Sequence, residues 1–347
     1  MRGPITVNTY MFEEIWRVAD ERVASGDTAG YVAAVRIRGE TAIHAHGEMA
    51  FGGPPMQADT LFRIASLTKP IGGALTLLMI EDGLLALDDP VERWLPELPG
   101  TATVRHLLTF TSGWGVGMED TPARQAMLAL GVHPGPLTPD LTGDEFVRRL
   151  AQVPRPFAPG DGWLYDTSMD VLSVLLARAA GRPVSESLRT RILEPLQMTD
   201  TAYFARDLTR LATAYSGKEI LDPPDGNYAA PPPFEELASG LVSTAADLLR
   251  FFTAMADGAL VNTSEMTRDQ LTDAQRAMAA AIVGEGNSWG YGTGVTAAGA
   301  WGWSGGTGTT AAVDPAKDTV AVLLTQRALT GPLDGFDDFH GAVANAA

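Results

Sequence analysis

The segments that read as β-strands lie at the two ends of this chain, and those with helical spacing lie between them. "GYVAAVRIRGE" and "TAIHAHGEMAFGG" alternate apolar and polar residues around Gly39-Glu40, which predicts a hairpin. Near the other end, "GTTAAVDP" and "DTVAVLLTQR" predict two strands around a turn at Pro315-Ala316, followed by a short terminal helix. Such an order predicts an α/β (α+β) architecture: one antiparallel sheet built from both chain ends, flanked by helices, with a helical region inserted in the middle. A chain of 347 residues has ample core for this.

Between the strands, "SLTKPIGGALTLLMIEDGLLAL" predicts a helix from Ser66 to about Leu84 that is apolar on most sides and therefore central. Pro70 suits its first turn, where a missing N–H is no loss. Gly72 and Gly73 cost about 1 kcal/mol each relative to alanine inside a helix, so a closely approaching neighbour is expected there. "DDPVERWLPEL" predicts a short helix with Asp89 as N-cap and Pro90 at its first position. Helices follow at about 103–110, 143–152, 168–180 and 184–193, and "STAADLLRFFTAMADG" is a helix capped by Ser243 or Thr244. The Gly- and Pro-rich stretches 112–142 and 221–233 read as long surface loops, a length at which loops often act as lids. The start of the chain predicts an amphipathic helix with Phe12, Ile15, Trp16, Val18 and Ala19 near one face.

A formal charge of −17 argues against nucleic acid and against an anionic membrane surface, both of which need clustered Lys and Arg. The absence of cysteine removes disulfides, thiolate metal sites and cysteine nucleophiles. No apolar run of about 18 residues predicts a membrane span, and no signal-peptide pattern opens the chain, so the cytoplasm is the expected location.

Only three lysines occur, Lys69, Lys218 and Lys317, and the first stands three positions after a serine in "RIASLTKP". Residues three apart share a helix face, so Ser66 and Lys69 are within reach of one another. A serine hydroxyl becomes a nucleophile when a base takes its proton, and a desolvated lysine is a candidate base. First-turn N–H groups and the helix dipole would favour an oxyanion beside Ser66. The bland alternative is a capping serine and a surface lysine.

Several blocks decide between these. "DTLFRIASLTKPIGGALTLLMIEDGLLALDDPVERWLPEL" resembles the nucleophile helix of class C β-lactamases and penicillin-binding-protein-like serine hydrolases, with the family VIII carboxylesterases nearest. "TVRHLLTFTSGW", "WLYDTSMDVLSVLLARAAGRPVSESLRTRILEPLQMTDT" and "ASGLVSTAADLLRFF" continue the resemblance in order, over about residues 30 to 326. It implies a β-lactamase/transpeptidase-like fold and one catalytic unit, its α/β part about 1–66 plus 200–347 and its helical part about 67–199. It also implies an acyl-Ser66 intermediate, with Lys69 and Tyr165 accepting the serine proton and no cofactor or metal. Tyr165 matches the tyrosine of the family's Tyr-x-Asn motif, and Thr167 replaces its asparagine. Ser304-Gly305-Gly306 aligns with the third motif, on an edge strand, and the N–H groups of Ser66 and Thr307 would form the oxyanion hole. Trp303 belongs to the same lining, and Trp163, Trp289 and Trp301 are further candidates for an apolar acyl pocket, with plain core packing as the alternative.

The departures from the motif carry information. The family's third-motif lysine would hold a substrate carboxylate, and Ser304 offers no such cation. The amide for an acylamino carbonyl is missing as well. Both losses favour a small neutral ester over a β-lactam. Ester hydrolysis is therefore the expected activity. Acyl transfer from the same acyl-enzyme, weak β-lactamase or D-peptidase activity, and a catalytically silent binding module are the alternatives. Oligomeric state is not expressed in the sequence.

Two other chemistries compete with this one. "GWSGG" (302–306) matches a Gly-x-Ser-x-Gly elbow with Ser304 as nucleophile. It would need its acid and histidine from Asp314, Asp318, Asp334, Asp337, Asp338 and His340, and it precedes a β-rich segment where a helix is required. His44 and His46 alternate on a strand and could share a face, but no cysteine and no clustered carboxylate completes a metal site. His106 reads as structural, and "GGTGTT" lacks the strand–turn–helix setting of a phosphate loop.

Overall fold

A computed structural model describes residues 9–135, 137–331 and 334–347. Met1 to Asn8, which open the stretch read as the first helix, lie outside the described residues. The elements run α1 (Thr9–Ala24), β1 (Gly30–Ile37), β2 (Glu40–Gly47), β3 (Phe62–Arg63) and α2 (Thr68–Glu81). The helical middle follows as α3 (Val104–Leu108), α4 (Pro122–Leu130), α5 (Gly143–Leu150), α6 (Thr167–Ala180) and α7 (Val184–Leu188). Then come β4 (Ala214–Ser216), β5 (Glu219–Asp222), β6 (Val242–Ser243), α8 (Ala245–Ala256), α9 (Thr263–Met266) and α10 (Asp273–Val283). The chain closes with β7 (Ser288–Trp289), β8 (Gly294–Val295), β9 (Trp301–Gly305), β10 (Thr309–Asp314), β11 (Thr319–Thr325) and α11 (Asp337–Ala346).

Seven strands form one antiparallel sheet in the order β2-β1-β11-β10-β9-β8-β7, so the two chain ends meet inside it, where β1 pairs with β11. The expected sheet is therefore present. Its hairpin turns one residue earlier than anticipated, at Arg38-Gly39, both with positive φ (50° and 82°). That pair of left-handed residues suits the right-handed twist of the flanking strands.

Successive residues of the central strands feed two different cores. Val32, Ala34, Val320, Val322 and Leu324 face the large core shared with α2, α6 and α8. Tyr31, Ala33, Val35, Ala321 and Leu323 face a smaller one against Phe12, Ile15 and Ala19 of α1 and Phe339 and Val343 of α11. A strand buried on both faces needs no polar alternation, which is why "VAVLL" (320–324) is apolar throughout. Each buried Val, Leu, Ile or Phe among them contributes about 1.5–3 kcal/mol.

Helix α2 runs through the large core with all but a few of its residues buried. Gly73 has the close neighbour its composition called for: a Cβ there would lie 2.4 Å from the Tyr291 carbonyl oxygen. Gly72 packs instead against the side chains of Met169 and Leu237. The helix ends at Glu81 rather than near Leu84, and Ser66 sits just ahead of it, in a 3-10 turn over Ala65–Leu67.

Other expectations need correction. "DDPVERWLPEL" makes one 3-10 turn, Val91–Arg93, whose N-cap is Pro90. The 112–142 stretch is not all loop, because Thr121 caps α4 within it. Helices α9 and α10 were not foreseen, and β9 is interior to the sheet, flanked by β10 and β8, rather than an edge. Thr244, one of the two candidates, caps α8. His106 completes a capping box with Thr103, the structural role expected of it. No helix among the described residues is long and apolar enough to cross a membrane.

Candidate active site

Three segments distant in sequence converge at the start of α2. The 3-10 turn carries Ser66, the first turn of α2 carries Lys69, and the residues entering α6 carry Tyr165 and Asp166. Lys69 Nζ donates to Ser66 Oγ at 2.8 Å and to the Ala238 carbonyl at 2.8 Å. It also forms an ion pair with Asp166 and lies 4.7 Å from the Tyr165 ring centroid. Lys69 is fully buried. The Tyr165 hydroxyl accepts a hydrogen bond from Trp303 Nε1 at 2.6 Å.

Two non-glycine residues here have left-handed backbone, Ala65 immediately before Ser66 (φ 44°) and Asp166 (φ 82°). Such conformations cost free energy and persist where surrounding packing enforces them. The first turns Ser66 outward at the helix mouth. The second points the Asp166 carboxylate back at Lys69.

Burial by itself would depress the Lys69 pKa, but the negative charge of Asp166, helped by Tyr165 and Glu236, outweighs it, and the net shift is upward. Lys69 therefore rests as an ammonium. The Tyr165 pKa is also raised, by burial first; Lys69, Ser66 and Trp303 pull it the other way without cancelling the rise. A lysine left neutral by desolvation is thus not the resting state, which corrects the sequence-based expectation.

Ser66 opens on a cavity of about 400 Å³ lined by Ala65, Val116, Pro134, Gly135, Tyr165, Asp166, Ser216, Leu221, Ser239, Gly306, Ala328 and Leu329. Both loop stretches reach it, 112–142 through Val116, Pro134 and Gly135 and 221–233 through Leu221. The turn after β9 forms the opposite wall. Thr307 Oγ1 donates to the Arg63 carbonyl at 2.6 Å and Thr309 Oγ1 to that of Ile64 at 2.9 Å, tying this turn to the residues just before Ser66. Gly305 permits the approach: a Cβ on it would sit 2.2 Å from the Ile64 carbonyl oxygen.

The family model described as Beta-lactamase matches residues 15–346. The chain belongs to the β-lactamase family. Within that family it is 35% identical to esterase EstB of Burkholderia gladioli, over 74% of this chain and 74% of that protein. It is 30% identical to monacolin J acid methylbutanoyltransferase of Aspergillus terreus over 43% of this chain and 40% of that one, under half the length of either. Among solved structures, EstCE1, described as a hydrolase with promiscuous acyltransferase activity, matches with a TM-score of 0.85 at 24% identity. The match covers 97% of this chain and 98% of that one, and it shows the β-lactamase/transpeptidase-like fold.

Against the β-lactamase-family pattern, not every expected residue reaches the cavity. Ser304 does not line it. Strand residues alternate sides, so with Trp303 turned toward Tyr165, Ser304 faces the other side of the sheet, where it donates to Thr310 Oγ1 at 3.0 Å. The elbow reading fails for the same reason, because Ser304 lies inside β9 and not at a strand-to-helix turn. Thr167 is fully buried at the start of α6, its hydroxyl without a partner, and it does not reach the cavity either. Trp163, Trp289 and Trp301 are core residues, each at most 4% exposed. Trp303 does reach the site, through the Tyr165 hydroxyl.

Sequence reasoning missed the acidic side of the site. Asp166 stands inside the quoted "YDT" but was passed over for its neighbours. Glu236, which accepts from Ser239 N at 2.6 Å and Ser239 Oγ at 3.0 Å, and Asp170 complete a buried acidic group behind Lys69. Burial, and then mutual repulsion with Glu236 and Asp166, raises the Asp170 pKa well above the usual carboxylate range. Burial raises Glu236 too, against the Ser239 hydrogen bonds. A carboxyl whose folded pKa is raised contributes its full stability below its unfolded pKa and loses it as pH rises through the folded one. Asp170→Asn, which cannot ionise, is therefore expected to raise Tm at pH 8 by a few degrees and to change it little at pH 4, read from paired thermal melts.

Proposed function

We propose that this protein is a serine esterase that hydrolyses small neutral carboxylic esters through an acyl-Ser66 intermediate. The observation that carries the reading is the Ser66 hydroxyl hydrogen-bonded to a fully buried Lys69 at the mouth of a mostly apolar cavity. Its kinship to a protein named as an esterase supports the same conclusion.

In this reading Ser66 Oγ attacks the ester carbonyl carbon as its proton passes into the Lys69–Tyr165 pair. The two titrate together, so the base is the pair after it has lost one proton. The N–H groups of Ser66 and Thr307 receive the oxyanion. When the tetrahedral adduct collapses, the C–O bond to the alcohol breaks and Tyr165 returns the proton to the leaving oxygen. Water then attacks the acyl-serine by the same steps in reverse, releasing the acid. Asp166 holds the Lys69 ammonium in place, and Gly305 and Gly306 let the turn come close to the substrate. The sheet and the helical middle act as one catalytic unit, since Ser66, Tyr165 and Thr307 come from different parts of the chain.

No Lys or Arg stands among the described residues lining the cavity, so nothing there would hold the carboxylate of a β-lactam or a peptide C-terminus. Transfer of the acyl group to an alcohol is the second reading. The apolar wall of Val116, Leu221, Ala328 and Leu329 favours it, because an apolar alcohol bound there would compete with water.

An active-serine phosphonate and p-nitrophenyl butyrate test both. Labelling of one serine per chain, on the peptide containing Ser66, with butyrate released in step with nitrophenol, supports hydrolysis. Butyl butyrate formed in excess of butyrate when butanol is added supports transfer. Labelling elsewhere, or none, overturns the proposal.

A further inference from the structure

The edge of the sheet farthest from β9 carries a second constellation of side chains. His44 and His46 alternate on edge strand β2, opposite Ala33 and Tyr31 of β1, on the face that α1 covers. Helix α1 supplies the carboxylate that the local sequence lacks. Asp20 Oδ1 lies 3.6 Å from His44 Nε2 and 3.8 Å from His46 Nδ1, and the three atoms all fall within 4.8 Å of one another. It is the one such group of potential metal ligands among the described residues.

We propose that Asp20, His44 and His46 form a binding site for a divalent transition-metal ion of the Zn²⁺ class, joining α1 to the sheet edge. Both Asp–His separations exceed hydrogen-bond length, so the imidazoles face the carboxylate without bonding to it. His44 Nε2 is buried and has no hydrogen-bond partner, a vacancy that an isolated imidazole–carboxylate contact would have closed. The spacing suits an ion instead. Tetrahedral Zn²⁺ with ligands at about 2.0–2.1 Å holds neighbouring ligand atoms about 3.3–3.4 Å apart, a few tenths of an ångström inside the two Asp–His distances, while the two imidazole nitrogens lie within 4.8 Å of each other and close further by rotation of His46. Octahedral Mg²⁺ or Ca²⁺ prefers oxygen ligands, and two imidazoles select against both.

The surroundings are built to orient these ligands. Tyr31 Oη donates to Asp20 Oδ1 at 2.8 Å, and the Trp16 ring stacks on His44 at 5.2 Å. The two imidazole planes are within 8° of parallel. A carboxylate fixed by a buried tyrosine and an imidazole fixed by an indole are the outer-sphere supports that metal ligands commonly have. His46 is exposed and free to turn toward an ion, for which water would supply the fourth ligand. The site lies on the opposite face and opposite edge from Ser66, so its effect is on the docking of α1 and not on ester chemistry.

The test uses the full chain, stripped with chelator, titrated with Zn²⁺ by calorimetry and with Co²⁺ by visible absorption. The expected result is one equivalent bound, the intense absorption of four-coordinate Co²⁺, and a Tm higher by about 5 °C at a hundredfold excess over Kd. His46→Ala and Asp20→Asn each lose at least about tenfold in affinity and lose the Tm response. His46 is exposed, so that variant folds, with unchanged p-nitrophenyl butyrate hydrolysis as its control. No binding by the wild-type chain overturns the proposal. So does binding that His46→Ala and Asp20→Asn leave unchanged.

Discussion

Ser66→Ala is expected to lower kcat/KM for p-nitrophenyl butyrate by about 10⁴–10⁶, while Ser304→Ala stays within about twofold of the wild type. The first change removes the atom that forms the acyl bond. The second alters a hydroxyl on the far side of β9, bonded to Thr310. Ser66 is small and lies at the cavity mouth, so alanine there leaves the fold unchanged, and an unaltered Tm accompanies the lost activity. Lys69→Ala is a poorer test because it leaves Asp166 charged, buried and unpaired, at a cost of about 3–5 kcal/mol. If Ser66→Ala retained more than a few per cent of wild-type turnover, the acyl-Ser66 mechanism would be wrong.

Asp166→Asn has the second large effect, and it reads the proton inventory of the site. In the wild type the Lys69 pKa is raised, so the ion pair stabilises the fold at neutral pH and that contribution is lost only as pH climbs through the folded value. The base form of the Lys69–Tyr165 pair is correspondingly scarce at neutral pH, and kcat/KM should still be rising with pH well into the alkaline range. Without the Asp166 charge, burial is the dominant influence on Lys69 and drives its pKa below the ordinary lysine value. Two consequences follow with the same sign. The alkaline limb of kcat/KM moves to lower pH, and stability, reduced at pH 7 by about 3–5 kcal/mol through the lost pairing, recovers toward pH 10, with Tm rising there while that of the wild type does not. Asparagine is nearly isosteric with aspartate and meets the same positive-φ turn (φ 82°, ψ −73°), so backbone strain does not confound the result. A variant that melts earlier but keeps the wild-type pH profile would make Asp166 purely structural and exclude the Lys69–Tyr165 pair as the base.

Local regularities account for what the sequence by itself determined. The individual strands, the hairpin, the position of α2 and the cap at Thr244 follow from contacts spanning a few residues, where helix and strand periods dictate which side chains meet, and the placing of strands at both chain ends then implies a sheet that joins them. The Ser66–Lys69 pair belongs here as well, because residues three apart on a helix must be neighbours. Even Gly73 announced a close contact, though not that the Tyr291 carbonyl makes it.

The tertiary structure alone decided everything that depends on which face turns inward or which distant residue arrives. Strand alternation puts Trp303 and Ser304 on opposite sides of β9, but only the packing of β9 against the start of α2 selects Trp303 for the site. Asp166 became the partner of Lys69 through a positive-φ turn (φ 82°, ψ −73°) that the local sequence does not dictate. Glu236 arrives from the loop before β6, and Asp20 crosses from α1 to two histidines on β2. Charges meet in this way because burying one without a counter-charge costs several kcal/mol, a penalty that exists only once the chain has closed around them.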